Sequence, residues 1–283
     1  MSSPTSADPT SAGQWQVDQL DLPAYLDRIG VAAAPPSIDL LNRLHEAHVR
    51  RFTFDNIDVL LRQHAGLGLD AIQEKFLGRG RGGYCFEHGT LFAAVLERLG
   101  FDVRRRLGRV GDPATGSQQG RTHVVVEVAV DGRRWLCDPG FGMSLLRPIE
   151  LADGAVNDHL GWQYRLDRLS DPDGWRMSRL RDGGWQVMHT ADDLPVKPVD
   201  LAMGHHFTST FPDSHFLKGL MLTRHLPGRH VSLTLETLTI RYGDAPTEHR
   251  PLRDGELADW LKVLEVPLTD DEEKRLLALT PPA

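Results

Sequence analysis

Apolar residues keep a period near 3.6 from about residue 20 to residue 100, and a period of two from about 103 to 190. In the first region, Ser37 can cap a helix whose face carries Leu40, Leu41, Leu44 and Ala47. Asp70 and Gln73 stand at capping-box spacing before Phe76 and Leu77, with Gly78 as a stop. A third run, Leu91, Phe92, Val95, Leu96 and Leu99, opens at Cys85 and ends at Gly100. Helices this short need one another's apolar faces, so the pattern predicts a small bundle.

In the second region, Val124, Val126, Val128 and Val130 share one face of a strand, and His123, Val125, Glu127 and Ala129 share the other. Asp131-Gly132 is a hairpin turn signal, and Arg133–Cys137 returns from it. Segments 164–169, 175–180 and 185–189 follow, separated by Asp, Pro and Gly, and predict a meander or small barrel. The last third mixes periods. Residues 231–242 alternate as a strand, while 257–266 and 270–279 read as helices, the second with a Thr269/Glu272 capping box. Residues 1–16, rich in Ser, Thr and Pro at their start, read as a disordered tail without the apolar core of a signal peptide.

Composition narrows the class. Apolar residues make up 40% of 283, enough to build cores. With 32 basic and 39 acidic residues the net charge is −7, which argues against nucleic acid as a partner. Arg104, Arg105, Arg106 and Arg109 form a local basic cluster, read as the solvated side of a strand. No apolar run reaches the length of a membrane span, so no membrane partner is expected. Two cysteines, Cys85 and Cys137, make no disulfide framework, and a reduced cytoplasmic location is the simpler expectation.

The chemistry concentrates at Arg81-Gly82-Gly83-Tyr84-Cys85-Phe86-Glu87. Cys85 opens a helix, whose positive end favours the reactive thiolate. Partners follow from the hairpin. If Asp131-Gly132 is a two-residue turn, Val130 pairs with Arg133 and, stepping outward, Val125 faces Asp138. His123 then lies diagonal to Asp138 on the same face, with Cα atoms roughly 7–8 Å apart. Cys137 points the other way, into core, and a one-residue slip would separate the pair. Cys, His and Asp are the grouping for covalent acyl transfer. A lone cysteine is also commonly buried and inert, and single His or Asp residues on strands are commonly structural. The residues alone leave both readings open.

The same residues resemble a family. Arg81–Glu87 is similar to the RGGxCxE signature of the arylamine N-acetyltransferases. Thr122-His123 before its valine strand, Asp138-Pro139-Gly140-Phe141-Gly142, Phe54-Asp55-Asn56-Ile57-Asp58 and Pro212-Asp213-Ser214-His215-Phe216 resemble further segments of that family, in order. The resemblance implies an α+β fold: a helical bundle over 17–102 carrying the nucleophile, a β-barrel over 103–203 carrying His and Asp, and an α/β lid over 204–283. It implies a ping-pong transfer of acetyl from acetyl-coenzyme A, a co-substrate rather than a permanently bound cofactor. Acceptors would be arylamines, hydrazines or arylhydroxylamines, as in xenobiotic metabolism. Cys85 would be the acetylated nucleophile, His123 its base and Asp138 the orienting acid. Phe54, Val110 and Phe141 would line the acceptor pocket, and Gly140, Gly142, Thr208 and His230 would contact coenzyme A. Arg81 would pair with Asp55 or Asn56 and hold the loop. The sequence leaves a homodimer open. Departures from the pattern are Thr53, Asp55, Gly89 and Pro139; Gly89 stands where relatives commonly carry Asn.

Other signals carry less. Gly78-x-Gly80-x-Gly82-Gly83 mimics a phosphate loop but follows a helix rather than a strand. His205, His206, His215, His225 and His230 lack the tight spacing of a closed zinc site, so no metal is expected. Rival functions that keep the triad are a macrolactam-forming amide synthase and a cysteine hydrolase; a non-catalytic binder of aromatic ligands is a fourth reading.

Overall fold

Three local signals set element boundaries where the sequence places them. Ser37 Oγ accepts from Leu40 N–H at 3.2 Å and opens helix Ile38–Arg51. Thr269 and Glu272 cap each other at 3.3 and 2.8 Å and open helix Asp270–Leu277. Asp131 and Gly132 have φ of 52° and 72°, the mirror-image turn that suits a two-residue hairpin. The computed structural model describes residues 13–112, 115, 119–171 and 173–280.

The N-terminal region packs helices Leu22–Ile29, Ile38–Arg51, Leu69–Gln73 and Cys85–Arg98 around one core that includes Tyr25, Leu44, Phe76 and Phe92. The capping box expected of Asp70 and Gln73 does not form. Gly68 holds the N-cap position. The Gln73 side chain instead ties the preceding segment, accepting from Asp21 N–H and donating to Gln19 O. Most of the tail, residues 1–12, lies outside the described residues, but Trp15 packs on the helical core and stacks under the Arg105 guanidinium at 4.0 Å. A buried relay binds three of these segments: Tyr25 OH donates to His48 Nδ1 (2.7 Å), His48 Nε2 to His88 Nδ1 (2.8 Å), and His88 Nε2 to Thr53 O (3.0 Å). The carbonyl at its end sets the direction of every donor in it.

Strand β1 (Phe54–Asp55) leaves this region and joins a sheet built near the C-terminus, of β10 (Leu222–Leu226), β11 (Arg229–Leu233), β12 (Thr237–Tyr242) and β13 (Glu248–Pro251), in the order β1-β10-β11-β12-β13. Helices Glu256–Val263 and Asp270–Leu277 complete it. The single strand expected over 231–242 is two. Thr234 Oγ1 accepts from Glu236 and Thr237 N–H and folds the chain between them.

Between these parts lies an antiparallel sheet of eight strands: β2 (Asp102–Val110), β3 (His123–Val130), β4 (Arg133–Cys137), β5 (Ile149–Glu150), β6 (Ala155–His159), β7 (Trp162–Ser170), β8 (Asp173–Arg181) and β9 (Gly184–Asp192). Its order, β5-β4-β3-β2-β9-β8-β7-β6, nearly closes a barrel, with Asn157 on β6 bonded to Pro148 O beside β5. Trp162, Tyr164, Leu166 and Met177 fill the interior. The chain is α+β, with a helical bundle, a central barrel and a C-terminal α/β lid. Helix Pro198–Thr210, for which the sequence pattern provides no element, crosses residue 203, the boundary that the resemblance implies between barrel and lid. Arg105 and Arg106 are buried rather than solvated: Arg105 pairs with Glu97 at 2.8 Å, and Arg106 pairs with Glu127 and Asp193. Arg104 and Arg109 are exposed, as expected of that cluster. No helix among the described residues is long and apolar enough to cross a membrane.

Candidate functional site

The loop before Cys85 is held by close backbone approach. Gly83 N–H donates to Thr53 O and Asp55 N–H to Gly83 O, at 3.2 and 2.7 Å. A Cβ on Gly82 would stand 1.7 Å from Thr53 O, and one on Gly83 would stand 2.2 Å from Glu87 Oε2. Gly82 is therefore required by contact with backbone, and Gly83 leaves room for the Glu87 carboxylate. Glu87, two residues into the helix from Cys85, turns back to accept from Tyr84 N–H at 3.0 Å. Lys75 bridges Glu87 and Asp58, at 2.8 Å to each. Burial opposes charge on Glu87, but the Lys75 ammonium outweighs it and pulls the carboxyl down to about 2. Arg81, fully buried, bonds Asp58 Oδ1 at 2.7 Å and lies 3.5 Å from Asp55. Asn56 is not its partner; that amide bonds Phe216 O, Gly219 O and Met221 N–H.

Cys85 is the first residue of helix Cys85–Arg98, and its thiol points to Thr122 O at 3.4 Å, one residue before His123. The hairpin register is the one that places His123 near Asp138: Val130 pairs with Arg133 and Val126 with Cys137. His123 Nε2 donates to both Asp138 oxygens at 3.1 Å, which leaves Nδ1 for the thiol. Burial works against charge on His123, but the Asp138 carboxylate, its hydrogen bonds and the Cys85 thiol prevail and push it up to about 10. Burial likewise opposes charge on Asp138, yet His123 first and His189 second hold it well below the carboxylate range.

Sequence reasoning missed two histidines. His189 on β9 donates from Nε2 to Asp138 Oδ2 at 2.9 Å, and burial lowers its pKa. His45 accepts from the Asp138 backbone N–H at Nε2 (3.1 Å) while its Nδ1 donates to Leu146 O (3.1 Å). Burial pushes His45 down to about 4, so it stays a neutral acceptor. The strand ladder ends at Cys137, before Pro139, and His45 takes the N–H that the ladder leaves over. Neither residue has a local sequence signal, because both reach Asp138 from elements distant in the chain. His123, Asp138 and His189 also bring potential metal-ligand atoms within 4.8 Å of one another, but here the carboxylate is already engaged by both rings.

A family model described as N-acetyltransferase matches residues 37–269. The arylamine N-acetyltransferase of Mycolicibacterium smegmatis is 39% identical over 239 residues, covering 81% of this chain and 85% of that one. The chain belongs to the arylamine N-acetyltransferase family. Among solved structures, the arylamine N-acetyltransferase from Mycobacterium abscessus aligns with a TM-score of 0.88 at 34% identity, over 95% of this chain and 98% of that one. The Mycobacterium marinum arylamine N-acetyltransferase in complex with CoA aligns with a TM-score of 0.83 at 33% identity, over 92% and 100%.

Of the remaining positions singled out by resemblance to the arylamine N-acetyltransferases, all but Thr208 lie close to this centre. Phe141 packs edge-on against His123, with ring centroids 5.2 Å apart. Val110, exposed, pairs across strands with His189, and Phe54 lies under Gly142. A Cβ on Gly140 would stand 2.9 Å from Cys85 Cα. Gly142 O accepts from His230 Nε2 at 2.9 Å and from Thr223 Oγ1 at 2.7 Å. Thr208 sits apart on helix Pro198–Thr210, its hydroxyl without a partner among the described residues. Gly89, the departure from the arylamine N-acetyltransferase pattern, has a steric cause: a Cβ there would stand 2.6 Å from Val124 Cγ1 on β3. The nucleophile helix approaches the histidine strand too closely for a side chain.

Proposed function

We propose that this chain moves an acetyl group from acetyl-coenzyme A to an arylamine, hydrazine or arylhydroxylamine through a thioester on Cys85. The observation that carries the reading is His123 held between Asp138 and the Cys85 thiol at the start of a helix. Asp138 holds a proton on His123, which that imidazole can hand to the departing sulfur.

In the first half-reaction the Cys85 sulfur attacks the thioester carbonyl. The tetrahedral adduct collapses, the bond to the coenzyme A sulfur breaks, and that sulfur leaves with the His123 proton. In the second half-reaction the acceptor nitrogen (or hydroxyl oxygen) attacks the Cys85 thioester, His123 takes its proton, and the thiolate returns. Asp138 keeps the imidazole in one tautomer throughout. Phe54, Val110 and Phe141 would form the aromatic-facing wall for the acceptor. Gly140, Gly142, His230 and Thr208 would border the donor, with Gly140 leaving room beside the sulfur. The CoA complex of the Mycobacterium marinum relative supports coenzyme A as donor carrier.

The test is intact-mass analysis after mixing with acetyl-coenzyme A and no acceptor. The expected result is a gain of about 42 Da, mapped to Cys85 and released by an arylamine, with no gain and no turnover in Cys85→Ala. Turnover by a protein whose Cys85 is never acylated overturns the reading.

A further inference from the structure

Helix Ile38–Arg51 carries two buried histidines, His45 and His48, that lead to opposite halves of the site. They stand three residues apart, so about 4.5 Å of helix rise separates them and they share a face. Both rings pack against Phe92, with centroids 5.4 and 5.2 Å away. A buried imidazole is costly unless its ring nitrogens have partners. Here all four nitrogens are engaged.

His45 reaches into the barrel. It accepts from Asp138 N–H and donates to Leu146 O, each at 3.1 Å, and so clamps both ends of the segment 138–146. His48 reaches the nucleophile loop. It donates to His88, and His88 donates to Thr53 O, the carbonyl that also accepts from Gly83 N–H, two residues before Cys85. The His88 ring lies nearly parallel to Phe54, at 14° and 6.5 Å. The two branches meet again at Gly140, where a Cβ would stand 2.9 Å from both Cys85 Cα and His88 Cβ.

Backbone groups on the two sides set the tautomers. Thr53 O can only accept, so His88 and then His48 carry their protons on Nε2. Asp138 N–H can only donate, so His45 carries its proton on Nδ1. Burial lowers the pKa of all three and keeps them neutral. Two histidines one helical turn apart are thus held in opposite tautomers, one by the acid's own backbone and one by the loop that presents the thiol.

We infer that helix Ile38–Arg51 is a strut that fixes the nucleophile loop relative to the orienting acid, with His45 the positioning residue for Asp138 and His48 the positioning residue for Cys85. Neither touches the reacting atoms. The kinetic part of the test rests on the acetyl-transfer reading above, and the spectroscopic part does not.

The experiment uses the full chain and two readouts. One is the rate constant for acetylation of Cys85 by acetyl-coenzyme A, followed by quenched-flow mass analysis; a rate constant is independent of how much protein is folded. The other is the far-downfield proton NMR resonance of the His123 N–H that Asp138 accepts. In His48→Leu the rate constant should fall about 10-fold with the resonance unmoved. His48→Gln, whose amide still offers an N–H to His88, should recover most of it. In His45→Leu the rate constant should fall about 10-fold and the resonance should shift or broaden. His45→Gln, whose carbonyl can accept from Asp138 N–H, should restore both. Tyr25→Phe removes only the hydroxyl at the far end of the His48 branch and should slow acetylation about 3-fold with the resonance unmoved. Leu variants that lose stability alone, or losses equal in the Leu and Gln variants, overturn the strut. If the Leu variants do not fold, an unchanged rate constant in Tyr25→Phe overturns it. If wild-type Cys85 is never acetylated, the acetyl-transfer reading falls, and the resonance in the His45 variants still decides the strut.

Discussion

His189 donates to Asp138 Oδ2 at 2.9 Å, the same oxygen that His123 reaches at 3.1 Å. Asp138 thus holds two imidazoles: one pushed up in pKa, one pushed down by burial. His189 acts as a neutral donor that positions the carboxylate. In His189→Phe the carboxylate loses a buried partner at a cost of about 1–3 kcal/mol in stability. Its kcat/KM should drop about 10-fold, with kcat rather than KM carrying the loss. His189→Gln, which keeps an N–H, should recover most of it. Denaturant titration and steady-state kinetics check this, and equal losses in Phe and Gln count against the positioning role.

Gly89 and Val124 set the distance between the nucleophile helix and the histidine strand. Alanine in a helix gains about 0.5–1 kcal/mol over glycine. Overpacking against Val124 should exceed that, so Gly89→Ala is expected to be destabilised by about 1–3 kcal/mol. Adding Val124→Ala should restore part of it. A double-mutant cycle from urea midpoints measures the coupling, and additive losses would falsify the contact.

The proton on His123 should govern the reactivity of Cys85. With His123 raised to about 10, its proton should stay in place from about pH 6 to 9 and add no step of its own to the pH profile of Cys85 alkylation by iodoacetamide. In Asp138→Asn, the anion that holds the proton is gone, and a step from His123 should appear within that range. Cys137, buried in the bundle core with its thiol pushed up, should remain unlabelled in the folded protein. Stopped-rate alkylation with peptide mapping reads both sites; a pH profile unchanged in Asp138→Asn would count against the link.

The same shift makes a stability prediction. A His raised from about 6.5 to about 10 contributes its full stabilisation below about pH 6.5 and loses it as pH rises through about 10. Asp138 works in the opposite sense, contributing above its unfolded value near 4 and losing that as pH falls through its depressed folded value. The stability gap between wild type and Asp138→Asn should therefore narrow between about pH 7 and pH 10. Guanidinium unfolding at several pH values tests this, and a gap that widens with pH would refute it.

Lys75 is the buried cation that joins Glu87 to Asp58. Lys75→Met leaves both acids without their shared partner, and breaking such a pair costs about 3–5 kcal/mol. The loss should appear in the urea midpoint together with a disordered Tyr84–Cys85 loop, read as faster proteolysis there. Unchanged stability would show that Arg81, bonded to Asp58, and His64, whose Nε2 lies 3.4 Å from Glu87 Oε1, suffice for the two acids.

Much of the fold was legible because it is local. Ser37, the Thr269/Glu272 box and the Asp131-Gly132 turn act within four residues, and their geometry follows from residue type. The turn also carried His123 to Asp138, since a two-residue hairpin allows one register. Over 231–242, where Thr234 folds the chain, strand periodicity alone gave one element in place of two. Gln73 left its predicted box because a distant backbone needed its amide.

By itself, then, the sequence determined the helix carrying Cys85, the hairpin pairing of His123 with Asp138, and the glycines that mark the loop. Only the tertiary structure decided that His45 and His189 hold Asp138 and that Gly89 is a contact with Val124. The division has a physical reason. Turns, caps and registers depend on neighbours a few residues away, whereas a buried partner is defined by what lies across the fold, up to 93 residues distant for His45 and Asp138.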